Sequence, residues 1–130
     1  MKVCVIQPEY SVDYSRSEEL FEKQLALMAQ CDDTMDIIVM PESADTPCLA
    51  RTEEEGLLSV EKFNERLLCA ASETAKRCNA ILFVNARSKH ETRLRNTTYA
   101  FDRSGKIVGM YHKQHLTPGE VRNTTLDSDY

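Results

Sequence analysis

A chain of 130 residues is long enough for one hydrophobic core and too short for two ordinary domains, so a single domain over 1–130 is expected. Its formal net charge of -5 and the lack of any block of Lys and Arg exclude a phosphate-binding footprint, and with it nucleic acid as a partner. Five cysteines at positions 4, 31, 48, 69 and 78 carry no CxxC spacing, and no apolar run has the length of a leader core or a membrane span. These features point to reduced thiols in a cytoplasmic protein with no membrane partner.

The first apolar run, Val3 to Ile6, is ended by Pro8 and reads as a strand. Ser15-Arg16-Ser17-Glu18 has capping-box spacing, and Leu20, Phe21, Leu25, Leu27, Met28 and Cys31 follow with the recurrence of an amphipathic helix. Ile37-Ile38-Val39-Met40 is a second strand, apolar on both faces. A second helix is predicted after Thr52, whose spacing to Glu55 suits a cap, with Val60, Phe63, Leu67, Ala71, Ala75 and Cys78 along one stripe. Gly56 leaves its first turn open. Ala80 to Val84 is a third buried strand, and Thr97 to Phe101 and Lys106 to Tyr111 flank Asp102-Arg103-Ser104-Gly105, a connection whose glycine suits a hairpin. The order β-α-β-α-β-β-β predicts an α/β fold on a mixed sheet.

Two charged residues stand out against these apolar runs. Met40 precedes Pro41 and is biased to extended geometry, so the second strand delivers Glu42 at its C-terminal end, where open α/β sheets bind ligands. The alternative is a solvated loop acid. In an extended Tyr111 to His115 segment, alternation places Tyr111, Lys113 and His115 on one face and His112 and Gln114 on the other. An edge-strand lysine that blunts aggregation is the competing reading of Lys113. A metal centre on His90, His112 and His115 is disfavoured, because His112 and His115 diverge on a strand and no nearby Cys or Asp completes a ligand set. Asn96-Thr97-Thr98 and Asn123-Thr124-Thr125 are glycosylation triplets only in a secreted chain, and are discounted.

Gln7-Pro8, Met40-Pro41-Glu42 and Tyr111-His112-Lys113-Gln114-His115-Leu116, in this order, resemble the N-terminal part of the nitrilase, or carbon-nitrogen hydrolase, superfamily. The resemblance implies part of a four-layer αββα sandwich with mixed β-sheets. It implies hydrolysis of amide, carbamoyl or nitrile substrates through a Glu-Lys-Cys triad without metal or cofactor. Glu42 is then the general base and Lys113 the stabiliser of the oxyanion. Glu120 in Thr117-Pro118-Gly119-Glu120 resembles the family's additional glutamate, with Tyr111 and His115 as further substrate-binding or lysine-positioning residues. The family's nucleophile lies beyond the lysine on another strand, and no cysteine follows Tyr111 here. Cys48 sits in the loop after Glu42 rather than on a strand-to-helix elbow, so the nucleophile is expected beyond this chain. Part of a sandwich has bare strand surface, which predicts a homo-oligomer or association with the missing C-terminal half. The competing function is a catalytically dead binding or assembly module that retains the fold.

Overall fold

The computed structural model describes residues 1–91 and 93–118. Five strands, β1 (Val3–Val5), β2 (Ile37–Val39), β3 (Ile81–His90), β4 (Arg93–Phe101) and β5 (Ile107–His112), form one sheet in the order β1-β2-β3-β4-β5. The first three are parallel and the last three antiparallel. Helix α1 (Ser17–Ala29) connects β1 to β2, and α2 (Glu53–Cys78) connects β2 to β3. This is the mixed α/β arrangement expected from the apolar runs.

Alternation decides which face of the sheet is covered. Leu82, Val84 and Ala86 of β3 stand opposite Phe101, Tyr99 and Thr97 of β4, and all six are buried. Against them α2 presents Phe63, Leu67, Ala71, Ala75 and Cys78, the stripe predicted from its spacing. Helix α1 packs on α2, where the Phe21 and Phe63 rings stack with centroids 4.5 Å apart. Truncating a fully buried phenylalanine removes both burial and stacking, so Phe63→Ala is expected to cost about 3–5 kcal/mol. Urea denaturation measures it; a loss under about 1 kcal/mol would contradict this packing.

The opposite face is only half covered among the described residues. Register aligns Val3 with Ile37 and Ile81, and Val5 with Val39 and Phe83. Val3 and Val5 are 51% and 69% exposed, and Tyr111 on β5 is 58% exposed. On β2 and β3, predicted as buried on both faces, the residues of this face, Ile37, Val39, Ile81 and Phe83, are half-buried.

Helix starts follow side-chain chemistry. The Thr52 hydroxyl accepts the Glu55 N–H at 3.1 Å, and the Glu55 carboxylate takes the Arg51 N–H at 2.7 Å, so the second predicted cap is present and α2 runs through Gly56. The first is not. Asp13 takes both the N–H and the hydroxyl of Ser15, winding Tyr14–Arg16 into a 3-10 turn, and α1 starts at Ser17 without a side-chain cap. Glycine has a specific task at Gly105, where φ is +80° and a Cβ would lie 2.6 Å from the Ser72 carbonyl oxygen.

On the outer side of α1, Glu9 and Glu19 share Arg16 and Lys23. Hydrogen bonds from Arg16 and then Lys23 pull the Glu19 carboxyl down to about 2 from 4.5. A depressed carboxylate contributes stability above its unfolded value and loses it as pH falls toward the folded one. Arg16→Ala is therefore expected to flatten the stability-against-pH curve between pH 4.5 and about 2, its cost, kept small by the exposure of the network, being present at neutral pH and vanishing as the carboxyl is protonated. Denaturation midpoints measured across that window check it. An unaltered slope would show that the pairs are not formed in solution.

Candidate active site

The site begins where β2 ends. Met40 N–H donates to the Phe83 carbonyl at 2.8 Å, keeping the chain extended into Pro41, and Glu42 follows at the C-terminal ends of the parallel strands. The chain then turns sharply. Ser43 sits at φ 55°, unusual for a residue other than glycine, and its carbonyl accepts the Thr46 N–H at 2.8 Å.

Three neighbouring elements hold this turn in place. Gln24 of α1, 1% exposed, donates to the Ala44 carbonyl at 2.8 Å. From β3, Asn85 accepts the Ser43 N–H on Oδ1 at 2.7 Å, and its carbonyl takes the Ala44 N–H at 2.9 Å. Asp45, fully buried, accepts the Arg87 N–H at 2.7 Å and Asn64 Nδ2 of α2 at 2.8 Å. Arg87 also donates to the Ser43 hydroxyl at 2.8 Å. Buried polar groups cost stability unless paired, so this density of side chain to backbone bonding fixes a loop that apolar packing alone would leave loose.

Lys113 arrives from the other side, one residue past β5, with its N–H on the Asn96 carbonyl at 2.8 Å. Its Nζ donates to Glu42 Oε1 at 2.8 Å, across 71 residues of sequence, and Asn96 Nδ2 donates to the same oxygen at 2.9 Å. The two side chains are 28% and 58% exposed, so the pair is worth only about 0–1 kcal/mol to the fold. It borders a cavity of about 320 Å³ walled by Val39, Met40, Phe83, Thr98 and Tyr111, with Asn85 and Asn96 at its base. Gln7, Pro8 and Pro41 wall a second hollow on the other side of Glu42. A carboxylate and an ammonium on a small, largely apolar cavity are equipped to move a proton and to hold developing negative charge.

The other predicted site residues fare differently. Tyr111 shares the cavity with Lys113, as alternation requires. His115 does not: β5 ends at His112, the chain bends at Gln114 and His115, and the exposed His115 is absent from the cavity wall. The strand alternation that grouped it with Lys113 stops three residues short of it. His112 lies on the helix side of the sheet, with Nδ1 2.9 Å from the Thr97 hydroxyl. Glu120 lies outside the described residues. Among the described residues no three His, Cys, Asp or Glu side chains form a metal-binding group. No helix of the described residues is long and apolar enough to cross a membrane.

None of the five cysteines lines the cavity. Cys31, Cys48 and Cys78 are buried and Cys4 partly so, whereas Cys69 is exposed. Burial pushes the Cys31 thiol up to about 12, which suppresses its thiolate at neutral pH. Iodoacetamide at pH 8 is accordingly expected to label Cys69 well before Cys31, read by peptide mapping. Equal rates would contradict the burial of Cys31.

Sequence reasoning missed Gln24, Asp45 and Asn85, and saw Asn96 only as a discarded glycosylation triplet. The available signal was polar residues set inside apolar strand and helix patterns, at Asn85 after Val84 and at Asn96 ahead of Tyr99.

Residues 2–130 match the carbon-nitrogen hydrolase family. No curated protein matches the sequence. Among solved structures, the carbon-nitrogen hydrolase from Helicobacter pylori G27 superposes with a TM-score of 0.74 at 18% identity, covering 98% of this chain and 44% of that one. An N-terminal amidase bound to a Gln-Gly peptide gives 0.75 at 16% identity, over 96% of this chain and 30% of that one. An amidase of the nitrilase superfamily from Nesterenkonia AN1, in a cysteine-to-serine form, gives 0.68 at 14% identity, over 99% and 49%. At these identities the likeness is one of fold, and the chain spans less than half the length of each of the three structures.

Proposed function

Since this chain belongs to the carbon-nitrogen hydrolase family, we propose that it supplies the Glu-Lys half of an amidase-type site whose cysteine nucleophile lies beyond Tyr130. The observation that carries this reading is the 2.8 Å contact of Lys113 Nζ with Glu42 Oε1 beside the cavity. A surface ion pair placed for stability has no need of a cavity or of the polar clamp that holds the Glu42 turn.

In this reading Glu42 takes the thiol proton as sulfur attacks the substrate carbonyl carbon. The Lys113 ammonium offsets the negative charge that develops on the carbonyl oxygen. Collapse of the tetrahedral intermediate breaks the carbon-nitrogen bond, and the proton held on Glu42 leaves with the amine. Water, deprotonated by Glu42, then attacks the thioester, releasing the carboxylic acid and restoring the thiol. No metal or cofactor enters these steps. Tyr111 bounds the substrate, and Glu120 is assigned to positioning Lys113 or binding substrate. The half-open sheet face suits a second sheet of an αββα sandwich, supplied by the rest of the protein.

The test is release of ammonia or amine from a panel of small carboxamides, carbamoyl compounds and nitriles by the protein made from its native coding region. Turnover of an amide at neutral pH supports the reading. No turnover of any member, in a protein that carries a downstream cysteine, would refute it and favour a binding role.

A further inference from the structure

The Glu42 carboxylate is gripped by a ladder of amides whose direction is fixed from one end. A backbone N–H can only donate, so the 2.7 Å contact of Ser43 N with Asn85 identifies the latter's atom as Oδ1. That orientation aims Asn85 Nδ2 at Asn96 Oδ1, 2.7 Å away, with the Thr98 hydroxyl as its second acceptor at 3.0 Å. Asn96 must then present Nδ2, a donor, to Glu42 Oε1 at 2.9 Å. The ladder closes into a ring through the covalent bond from Ser43 back to Glu42. The Ser43 backbone and the Glu42 carboxylate are thus referred to the same two strands.

Asn96 also carries the other charged partner, because its carbonyl accepts the Lys113 N–H at 2.8 Å. It is 1% exposed on the central part of β4. A carboxamide at such a depth costs desolvation that an apolar side chain would avoid, and it is tolerated because each end is matched.

We propose that Asn96 is the positioning residue of the Glu42 base. It fixes the carboxylate's rotamer and supplies a neutral donor to Oε1, one that orients the oxygen without titrating itself. This rests on the reading of Glu42 as the base. Aspartate at position 96 would keep the shape but set an acceptor, and at neutral pH a second negative charge, against Oε1. Alanine would remove the donor and leave Asn85 Nδ2 with the Thr98 hydroxyl as its remaining acceptor.

The titratable groups facing Glu42 among the described residues are Lys113 and Tyr111 across the cavity, and Glu9 and Tyr10 on the side of Pro41. Arg16 and Lys23 hold the Glu9 carboxyl low, and burial pushes the Tyr10 hydroxyl up, so both stay clear of the middle of the pH range.

The first arm of the experiment needs no substrate. In the protein labelled with ¹³C and ¹⁵N, the Glu42 side-chain carboxyl and the Asn96 side-chain amide are followed by NMR through a pH titration. The expected result is one shared midpoint, an Asn96 response that vanishes in Glu42→Gln, and a Glu42 midpoint raised in Asn96→Ala and further in Asn96→Asp. Should Asn96→Ala fail to fold, Asn96→Ser, which keeps a shorter donor, is expected to shift in the same direction by less. An Asn96 amide indifferent to Glu42 ionisation in the unmodified protein overturns the proposal without any variant.

The second arm measures hydrolysis of the carboxamide panel. Asn96→Ala is expected to lower kcat about 10²-fold with KM nearly constant, and Asn96→Asp to move the acidic limb of the profile to higher pH. Loss confined to KM, or an unmoved limb, overturns the positioning role. Shared titration in a protein that hydrolyses none of the panel supports the grip on Glu42 and refutes the hydrolase reading instead, so the two failures are distinguishable.

Discussion

Glu42→Gln is expected to lower kcat for carbon-nitrogen hydrolysis by about 10²- to 10⁴-fold, with little change in KM. Glutamine keeps the length of the side chain and an oxygen able to accept from Lys113 Nζ and Asn96 Nδ2, now at 2.8 and 2.9 Å from Glu42 Oε1. What it loses is the capacity to hold a proton, which in the proposed mechanism the thiol surrenders before attack and water surrenders afterwards. Both half-reactions pass through that one oxygen pair, so the loss falls on turnover rather than on binding. Steady-state kinetics on the amide selected by the panel measures it, with circular dichroism to show that the variant is folded. Activity within a few-fold of the unmodified protein would remove Glu42 from the chemistry.

Lys113→Ala is expected to cost about 10²- to 10³-fold in kcat, the magnitude typical of losing one fixed stabiliser of an oxyanion. The effect on folding is expected to be small, because the ion pair is partly exposed and the Lys113 backbone keeps its bond to the Asn96 carbonyl. Arginine is a poor substitute: its planar guanidinium is wider than an ammonium and would press into a cavity of about 320 Å³. Lys113→Arg should therefore recover little of the activity. A variant that lost stability and activity together would mean that the lysine holds the site up instead of acting in it.

The apolar strands, the stripe of α2 and the Asp102 to Gly105 hairpin were legible in the sequence because burial of one periodic face is a local property of a pattern. So was Glu42, since Pro41 and the preceding strand set its place before any tertiary contact forms. The full length of β3 was not. Its second half, Asn85 to His90, is polar, and it is a strand because β4 pairs with it residue by residue from Leu82 to His90. The start of α1 was misread for a related reason, as Asp13 captures the Ser15 hydroxyl that the capping pattern had assigned to the helix.

The site divides the same way. Glu42, Lys113 and Tyr111 are legible as candidates because each has a position on a strand or just past one. The residues bonded to the Glu42 turn and its carboxylate, Asn85 and Asn96, acquire meaning only once β3 and β4 are paired and the amide ladder can be traced. His115 fails on geometry, since a strand's alternation predicts nothing beyond the bend that ends it. The half-open sheet face has no sequence signature separate from a buried strand, because the same valines and isoleucines serve when a second sheet is added.

The central claim is that Glu42 and Lys113 act as one unit on one reacting centre. A double-mutant cycle on kcat/KM for the chosen amide tests it most directly, using Glu42→Gln, Lys113→Ala and the combination. Groups that serve a single step do not contribute additively, so the account predicts that the double variant is barely slower than the worse single one. Losses that multiply would contradict it, and would mean that the 2.8 Å contact joins two residues with separate tasks.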